Sequence, residues 1–87
     1  MNKLSDLPNI GEIMEQKLIS IGINTEEEIR ARGSKEVFIQ IRKSDPSACI
    51  NMLYGIQGAI ENINDSHLSN ETKQELKMFY NKVKSEK

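Results

Sequence analysis

The sequence predicts an all-α fold, a compact five-helix orthogonal bundle. Apolar residues recur every three or four positions along most of the chain, and no stretch alternates apolar and polar residues as a strand would. Glycines and one Asp-Pro pair interrupt this pattern at intervals that suit short turns. Because 87 residues support only one hydrophobic core, we expect a single domain over residues 1–87, with an ordered core at about 4–83.

Charge and hydropathy exclude several classes of protein. Twelve Lys and Arg against thirteen Asp and Glu leave a net charge of -1, which lacks the positive excess of most autonomous nucleic-acid binders. No apolar run approaches the roughly 20 residues that cross a bilayer, and no apolar signal core follows Met1. We therefore expect a cytoplasmic protein that does not contact membranes. The single cysteine, Cys49, lies on an apolar helical stripe and is predicted to be a buried small hydrophobe.

The first two helices have clear boundary residues. The first is predicted to begin near Ile10 or Gly11 and to end at Gly22, because glycine adopts the left-handed conformation that closes a helix. Its apolar face contains Ile10, Met14, Leu18 and Ile21, and is widened by Ile13. Thr25 and Glu28 form a capping box for the second helix, which is predicted to end at Gly33.

The remaining three helices follow from caps and apolar spacing. Ser34 is predicted to cap a third helix that ends near Lys43, and Asp45 with Pro46 is a typical start for a fourth. The fourth helix is the predicted hydrophobic centre, and Gly55 and Gly58 within it indicate the close approach of another helix backbone. A last helix follows Ser69, and its apolar face includes Leu76, Phe79, Tyr80 and Val83.

The sequence offers no constellation for catalysis or for a metal. One cysteine and one histidine, His67, stand far apart, whereas metal sites need clustered ligands. The acidic residues fall at caps, in loops and on polar helix faces rather than in a patterned pair. We expect a protein that is not an enzyme and has no cofactor.

The turn that leads into the first helix is the most informative motif. It has the sequence Leu-Pro-Asn-Ile-Gly over residues 7–11, as in helix-hairpin-helix modules, where backbone amides at a helix N-terminus bind phosphate. Candidate contacts to nucleic acid or to a partner are Asn9, Ile10, Gly11 and Lys17. Glu12 and Glu15 follow directly and would repel phosphate, so a structural corner is favoured over a phosphate site.

A second candidate surface is basic. Residues 30–43 contain five cations against Glu36 alone: Arg30, Arg32, Lys35, Arg42 and Lys43. If the helices turn these groups to one side, they would form a patch for phosphate or for an acidic partner. A solvated helical surface is the alternative, and the composition favours it.

Taken together, these motifs resemble the C-terminal domain of the TfoX competence-regulator family. The resemblance covers about Leu4 to Tyr80, and its strongest segments are 7–11, 21–25, 42–46 and 49–54. It implies a SAM-like fold related to helix-hairpin-helix modules, found in bacterial proteins linked to DNA uptake and transformation, and it implies no catalytic reaction.

Three hypotheses about function follow. The leading one is a non-enzymatic regulatory domain that binds an unidentified protein in a bacterial system related to competence. The second is weak, sequence-independent DNA binding through the hairpin 8–12 and the basic residues of 30–43. The third is homodimerisation, since small domains often gain stability by burying apolar surface between copies.

Overall fold

Five α-helices account for most of residues 4–85, the part of the chain that the computed structural model describes. They are α1 (Glu12–Ser20), α2 (Glu26–Arg32), α3 (Ser34–Ser44), α4 (Ile50–Glu61) and α5 (Asn70–Ser85). Two 3-10 turns, Leu4–Asp6 and Asp65–His67, precede α1 and α5. There is no strand among the described residues, and the all-α prediction is confirmed. Met1 and the chain end beyond Ser85 lie outside the described residues.

The predicted boundaries of α1 and α2 are confirmed. Gly22 and Gly33 have φ angles of 88° and 82°, in the left-handed region that glycine adopts without steric cost. Thr25 caps α2, because its Oγ1 accepts a hydrogen bond from the Glu28 amide at 3.1 Å. The Glu28 carboxylate in turn accepts from the Asn24 amide at 3.2 Å. These short-range hydrogen bonds explain why α2 starts where the sequence predicts.

The predicted role of Ser34 is wrong. Gly33 holds the cap position of α3, and Ser34 is the first residue of that helix. The Ser34 side chain is buried, and its hydroxyl donates to Oε1 of Gln57 on α4 at 2.5 Å. A long-range partner therefore uses the hydroxyl that would otherwise cap the helix.

The start of α4 also differs from the prediction. Asp45 and Pro46 form a turn, in which Ala48 N donates to the Asp45 carbonyl at 3.0 Å, and α4 begins only at Ile50. Asp45 Oδ1 accepts from the Ser47 amide at 3.1 Å, so this carboxylate stabilises the turn rather than a helix. Cys49 occupies the cap position of α4 and is exposed, which contradicts the predicted burial.

The core forms around α4, α3 and the first 3-10 turn. Phe38 and Ile41 of α3 and Leu53 and Ile56 of α4 are almost fully buried. Helix α4 packs against α2, α3 and α5, as its predicted central position requires. Helix α1 packs chiefly against the first 3-10 turn and α3, and it buries Leu18. Besides Cys49, a second residue that was predicted to lie on the apolar face is misplaced, because Ile13 is 77% exposed.

Candidate functional site

Asn9 fixes the N-terminal turn onto the end of α4. Its φ of 68° is left-handed, a conformation that asparagine tolerates better than most residues. The side-chain Nδ2 donates to the carbonyl oxygens of Ile63 at 3.0 Å and of Gly55 at 3.4 Å. The Oδ1 atom accepts from the Asp65 amide at 3.2 Å. The asparagine of the hairpin motif is thus a structural clamp.

Gly58 is required by this clamp. A Cβ atom at Gly58 would lie 2.5 Å from Nδ2 of Asn9 and 2.8 Å from the carbonyl oxygen of Ile63. A Cβ at Gly55 would meet Asn9 at an ordinary distance of 3.5 Å. The neighbours of both positions are the N-terminal turn and, at Gly58, also the loop after α4. The predicted second helix backbone is not the approaching group.

The other predicted hairpin contacts face different environments. The Ile10 side chain is buried, and its amide donates to the Leu7 carbonyl at 3.3 Å, so this amide already has a partner. Gly11 is exposed at the N-terminus of α1, where no side chain caps the helix. A ligand contact through the hairpin stays a prediction that depends on Gly11.

Lys17 has a structural partner within the described chain. Its ammonium group forms an ion pair with the Asp45 carboxylate, which joins α1 to the turn after α3. The hydrogen bond from Lys17, followed by one from Ser47, lowers the pKa of Asp45 to about 2. Lys17 is also the only cation on α1.

Four of the five basic residues of segment 30–43 have partners, and these partners lie in different parts of the fold. Arg30 pairs with Glu26 and donates to the carbonyl oxygen of Ile60 at 3.1 Å, near the end of α4. Arg32 donates to Oε1 of Gln40 at 2.6 Å.

Two further cations of this segment lie along α5. Lys35 contacts Glu75 at 2.6 Å and lies 5.6 Å from the centre of the Phe79 ring. Arg42 lies 6.0 Å from the centre of the Tyr80 ring and donates to the Ala48 carbonyl at 3.3 Å. The face of an aromatic ring attracts a cation at these distances, so both charges are engaged where α3 packs against α5.

Lys43 differs from the other four cations. It is exposed, and its ammonium group makes no hydrogen bond or ion pair with another described residue. The structure therefore distributes the basic residues over several interfaces, and their proposed contact with phosphate or an acidic partner stays a prediction.

An apolar surface on α1 was not predicted from the sequence. Ile13 is 77% exposed and Ile19 is 43% exposed, whereas most large apolar side chains of the described chain are at least partly buried. An open hollow of about 400 Å³ lies beside Ile13, and its other lining residues are Ser5, Glu12, Glu15 and Gln16. We call Glu12, Ile13, Glu15, Gln16 and Ile19 the α1 face. One sequence feature indicated it: at about 100° per residue, Ile13 and Ile19 point away from Met14 and Leu18.

The fold and these surfaces define a small all-helical domain with a clamped N-terminal turn and an exposed, mixed apolar and acidic helix face. Within residues 4–85 no three His, Cys, Asp or Glu side chains are placed to hold a metal ion. No helix in the same range is long and apolar enough to span a membrane.

The chain belongs to the TfoX C-terminal domain family, whose sequence model matches residues 1–80. It is 30% identical over 83 residues to the DNA transformation protein TfoX of Haemophilus influenzae. That match covers 95% of this chain but only 38% of the relative, so this chain corresponds to less than half of that protein.

Two solved structures from Listeria monocytogenes share the fold. An uncharacterized protein in a triclinic crystal form superposes with a TM-score of 0.95 at 42% identity, covering 97% of this chain and 96% of that one. A protein of unknown function in a tetragonal form gives a TM-score of 0.89 at 44% identity, with coverage of 92% and 98%. The described fold is thus shared over nearly the full length of both chains.

Proposed function

We propose that this chain is a non-enzymatic regulatory domain that binds another protein, in a cytoplasmic bacterial system related to competence and DNA transformation. Membership of the TfoX C-terminal domain family supports the pathway, as does the similarity to the DNA transformation protein of Haemophilus influenzae. The surface of α1 supports protein binding as the mode of action.

The exposed isoleucines of the α1 face are the observation that carries this proposal. Ile13 and Ile19 stand on either side of Gln16 along one helix, three residues from it in each direction. Ile13 lines the hollow, and Ile19 lies less than two helical turns further along α1. Exposed apolar surface that is rimmed by polar residues is typical of protein contact sites. Met78 of α5 is 73% exposed and lies on a different helix, so it is a comparison position of similar exposure.

Charge on the α1 face favours protein over nucleic acid. Glu12 and Glu15 lie in the first turn of α1, next to Ile13 and close to the hairpin. Carboxylates there would repel a phosphate backbone, and the nearby cation Lys17 is already paired with Asp45. A protein partner can place apolar and polar groups against such a mixed surface.

A capture experiment with matched variants tests the proposal. The full chain is immobilised and exposed to lysate of the source cell, and the bound proteins are quantified by mass spectrometry. We expect the double variant Ile13→Ser and Ile19→Ser to lose proteins that the unmodified chain enriches. Met78→Ser, which removes an equally exposed side chain from α5, should retain them. Equal enrichment by all three chains would overturn the proposal, provided that circular dichroism shows equal helix content.

A further inference from the structure

The hollow beside α1 combines an apolar wall with carboxylates. Ile13 supplies the apolar side chain, and Glu12 and Glu15 supply negative charge. One carboxylate oxygen of Glu15, Oε2, accepts a hydrogen bond from the Ser5 amide in the first 3-10 turn at 3.1 Å. Glu12 is exposed and makes no hydrogen bond or ion pair with another described residue. One carboxylate is therefore held in place, and the other is available to a partner.

No cation of α1 neutralises this face. Lys17, the single basic residue of the helix, forms its ion pair with Asp45 on the turn after α3. Among the described residues, an incoming group that fills the hollow therefore meets two carboxylates and no cation of α1 that is free to pair with them. A lysine or arginine side chain suits this arrangement, because its methylene groups pack on apolar surface while its charged end reaches a carboxylate.

A second copy of this chain fits the same surface poorly. A symmetric dimer through the α1 face would join two copies of the same acidic patch, which offers no free cation of α1 because Lys17 is paired with Asp45. Like charges placed against each other at an interface oppose association. The charge pattern thus favours a different protein over self-association.

We propose that the α1 face binds a basic amphipathic helix of a partner protein, an inference that rests on the proposed function and names its partner's chemistry. Apolar residues of that helix contact Ile13 and Ile19. A lysine or arginine on the same helix enters the hollow and pairs with Glu12 and Glu15. Recognition of this kind uses apolar anchors at helical spacing for affinity and charge for selectivity.

Two synthetic peptides of about 14 residues, four helical turns, test this proposal. Both carry leucines on one face, and they differ only in having lysines or glutamates beside that face. Each is titrated into the isotope-labelled full chain and followed through amide chemical shifts. We expect the lysine peptide to shift the amides of Ile13 and Gln16, and the glutamate peptide to leave them unchanged. Equal shifts with both peptides, or no shift at these amides with the lysine peptide, would overturn the proposal.

Charge-neutral variants supply the control. Glu12→Gln with Glu15→Gln should weaken binding of the lysine peptide about tenfold, as expected for the loss of two exposed ion pairs. Glu27→Gln with Glu71→Gln removes the same charge from the first turns of α2 and α5, and should leave the affinity unchanged. Equal weakening by the two pairs would indicate a net-charge effect and would overturn the proposal.

The capture experiment separates this inference from the proposed function. If enrichment of proteins from lysate depends on Ile13 and Ile19 but the peptides are not distinguished, the domain binds a protein of another chemistry. If enrichment does not depend on these isoleucines, the proposed function itself fails.

Discussion

The side-chain amide of Asn9 donates a hydrogen bond to the carbonyl oxygen of Ile63 at 3.0 Å, across 54 positions of the sequence. The same side chain accepts a hydrogen bond from the Asp65 amide. Asn9 therefore pairs with both a backbone donor and a backbone acceptor in the loop after α4. Asn9 also has the left-handed φ that the turn requires. The asparagine of the hairpin motif is therefore explained by the fold, and the functional surface that we propose is the outer face of the helix that follows it.

Substitutions of Asn9 should separate its hydrogen bonds from its backbone conformation. Asn9→Gly keeps the left-handed φ but removes the side chain, and should lower the free energy of unfolding by about 1 kcal/mol. Asn9→Asp places an anionic oxygen against two carbonyl groups and should cost more, about 2 kcal/mol. Urea unfolding measures both. An aspartate variant as stable as the parent would contradict the clamp.

The two glycines of α4 should respond to alanine in opposite ways. Gly58→Ala forces its Cβ against Asn9 and the Ile63 carbonyl, and should lower the free energy of unfolding by about 2 kcal/mol. Gly55→Ala meets only ordinary contacts, so the helix propensity of alanine should raise stability by about 0.5 kcal/mol. Thermal unfolding of the two variants decides this, and equal melting temperatures would be incompatible with the described packing.

The ion pair between Lys17 and Asp45 should make the free energy of unfolding depend on pH in the acidic range. The folded-state pKa of Asp45, about 2, lies below the ordinary pKa of 3.8 for an aspartate. The stability that the ion pair contributes is therefore present above about pH 3.8 and is lost as the pH falls towards 2. Lys17→Met should raise the pKa of Asp45 and weaken this loss. Lys43→Met removes an exposed charge one residue from the end of α3 and should leave the titration unchanged. Carboxyl carbon shifts report the pKa directly, and no change in Lys17→Met would refute the assigned cause.

Duplex DNA should leave the hairpin amides unmoved. Asn9 and the Ile10 amide already have intramolecular partners, and two carboxylates follow Gly11. We expect no chemical shift change at Ile10 or Gly11 when DNA is added at low salt. Shifts at Gly11 and Lys43 that fade as salt rises would instead support the DNA-binding hypothesis, because phosphate contacts release counterions.

Local patterns in the sequence predicted the helices well. The helix boundaries depend on short-range features: the positive φ angles of Gly22 and Gly33, and the hydrogen bond between Thr25 and the amide three residues later. Such features can be recognised from neighbouring residues in the sequence. The predicted helix start at Asp45 is wrong because one of its partners is distant in sequence. Its carboxylate is drawn to Lys17 and Ser47, and the first of these partners lies 28 positions away.

The candidate site was only partly predictable. The sequence predicts a close approach at Gly58 but attributes it to a helix backbone, whereas the group that makes it is Asn9, which is distant in sequence. The basic residues of segment 30–43 looked like one surface because they are near in sequence, yet Arg30 and Lys35 reach different helices. The apolar spacing predicts that Ile13 widens the buried stripe of α1, but its angle around the helix turns it outward.

The central claim is that the α1 face contacts a protein, and site-specific photocrosslinking in the source cell tests it most directly. A photoreactive residue replaces Ile13 in one variant and Met78 in another, two positions of similar exposure on different helices. We predict a discrete covalent adduct with another protein from position 13 and none from position 78. Absence of an adduct at position 13, or the same adducts from both positions, would contradict the account.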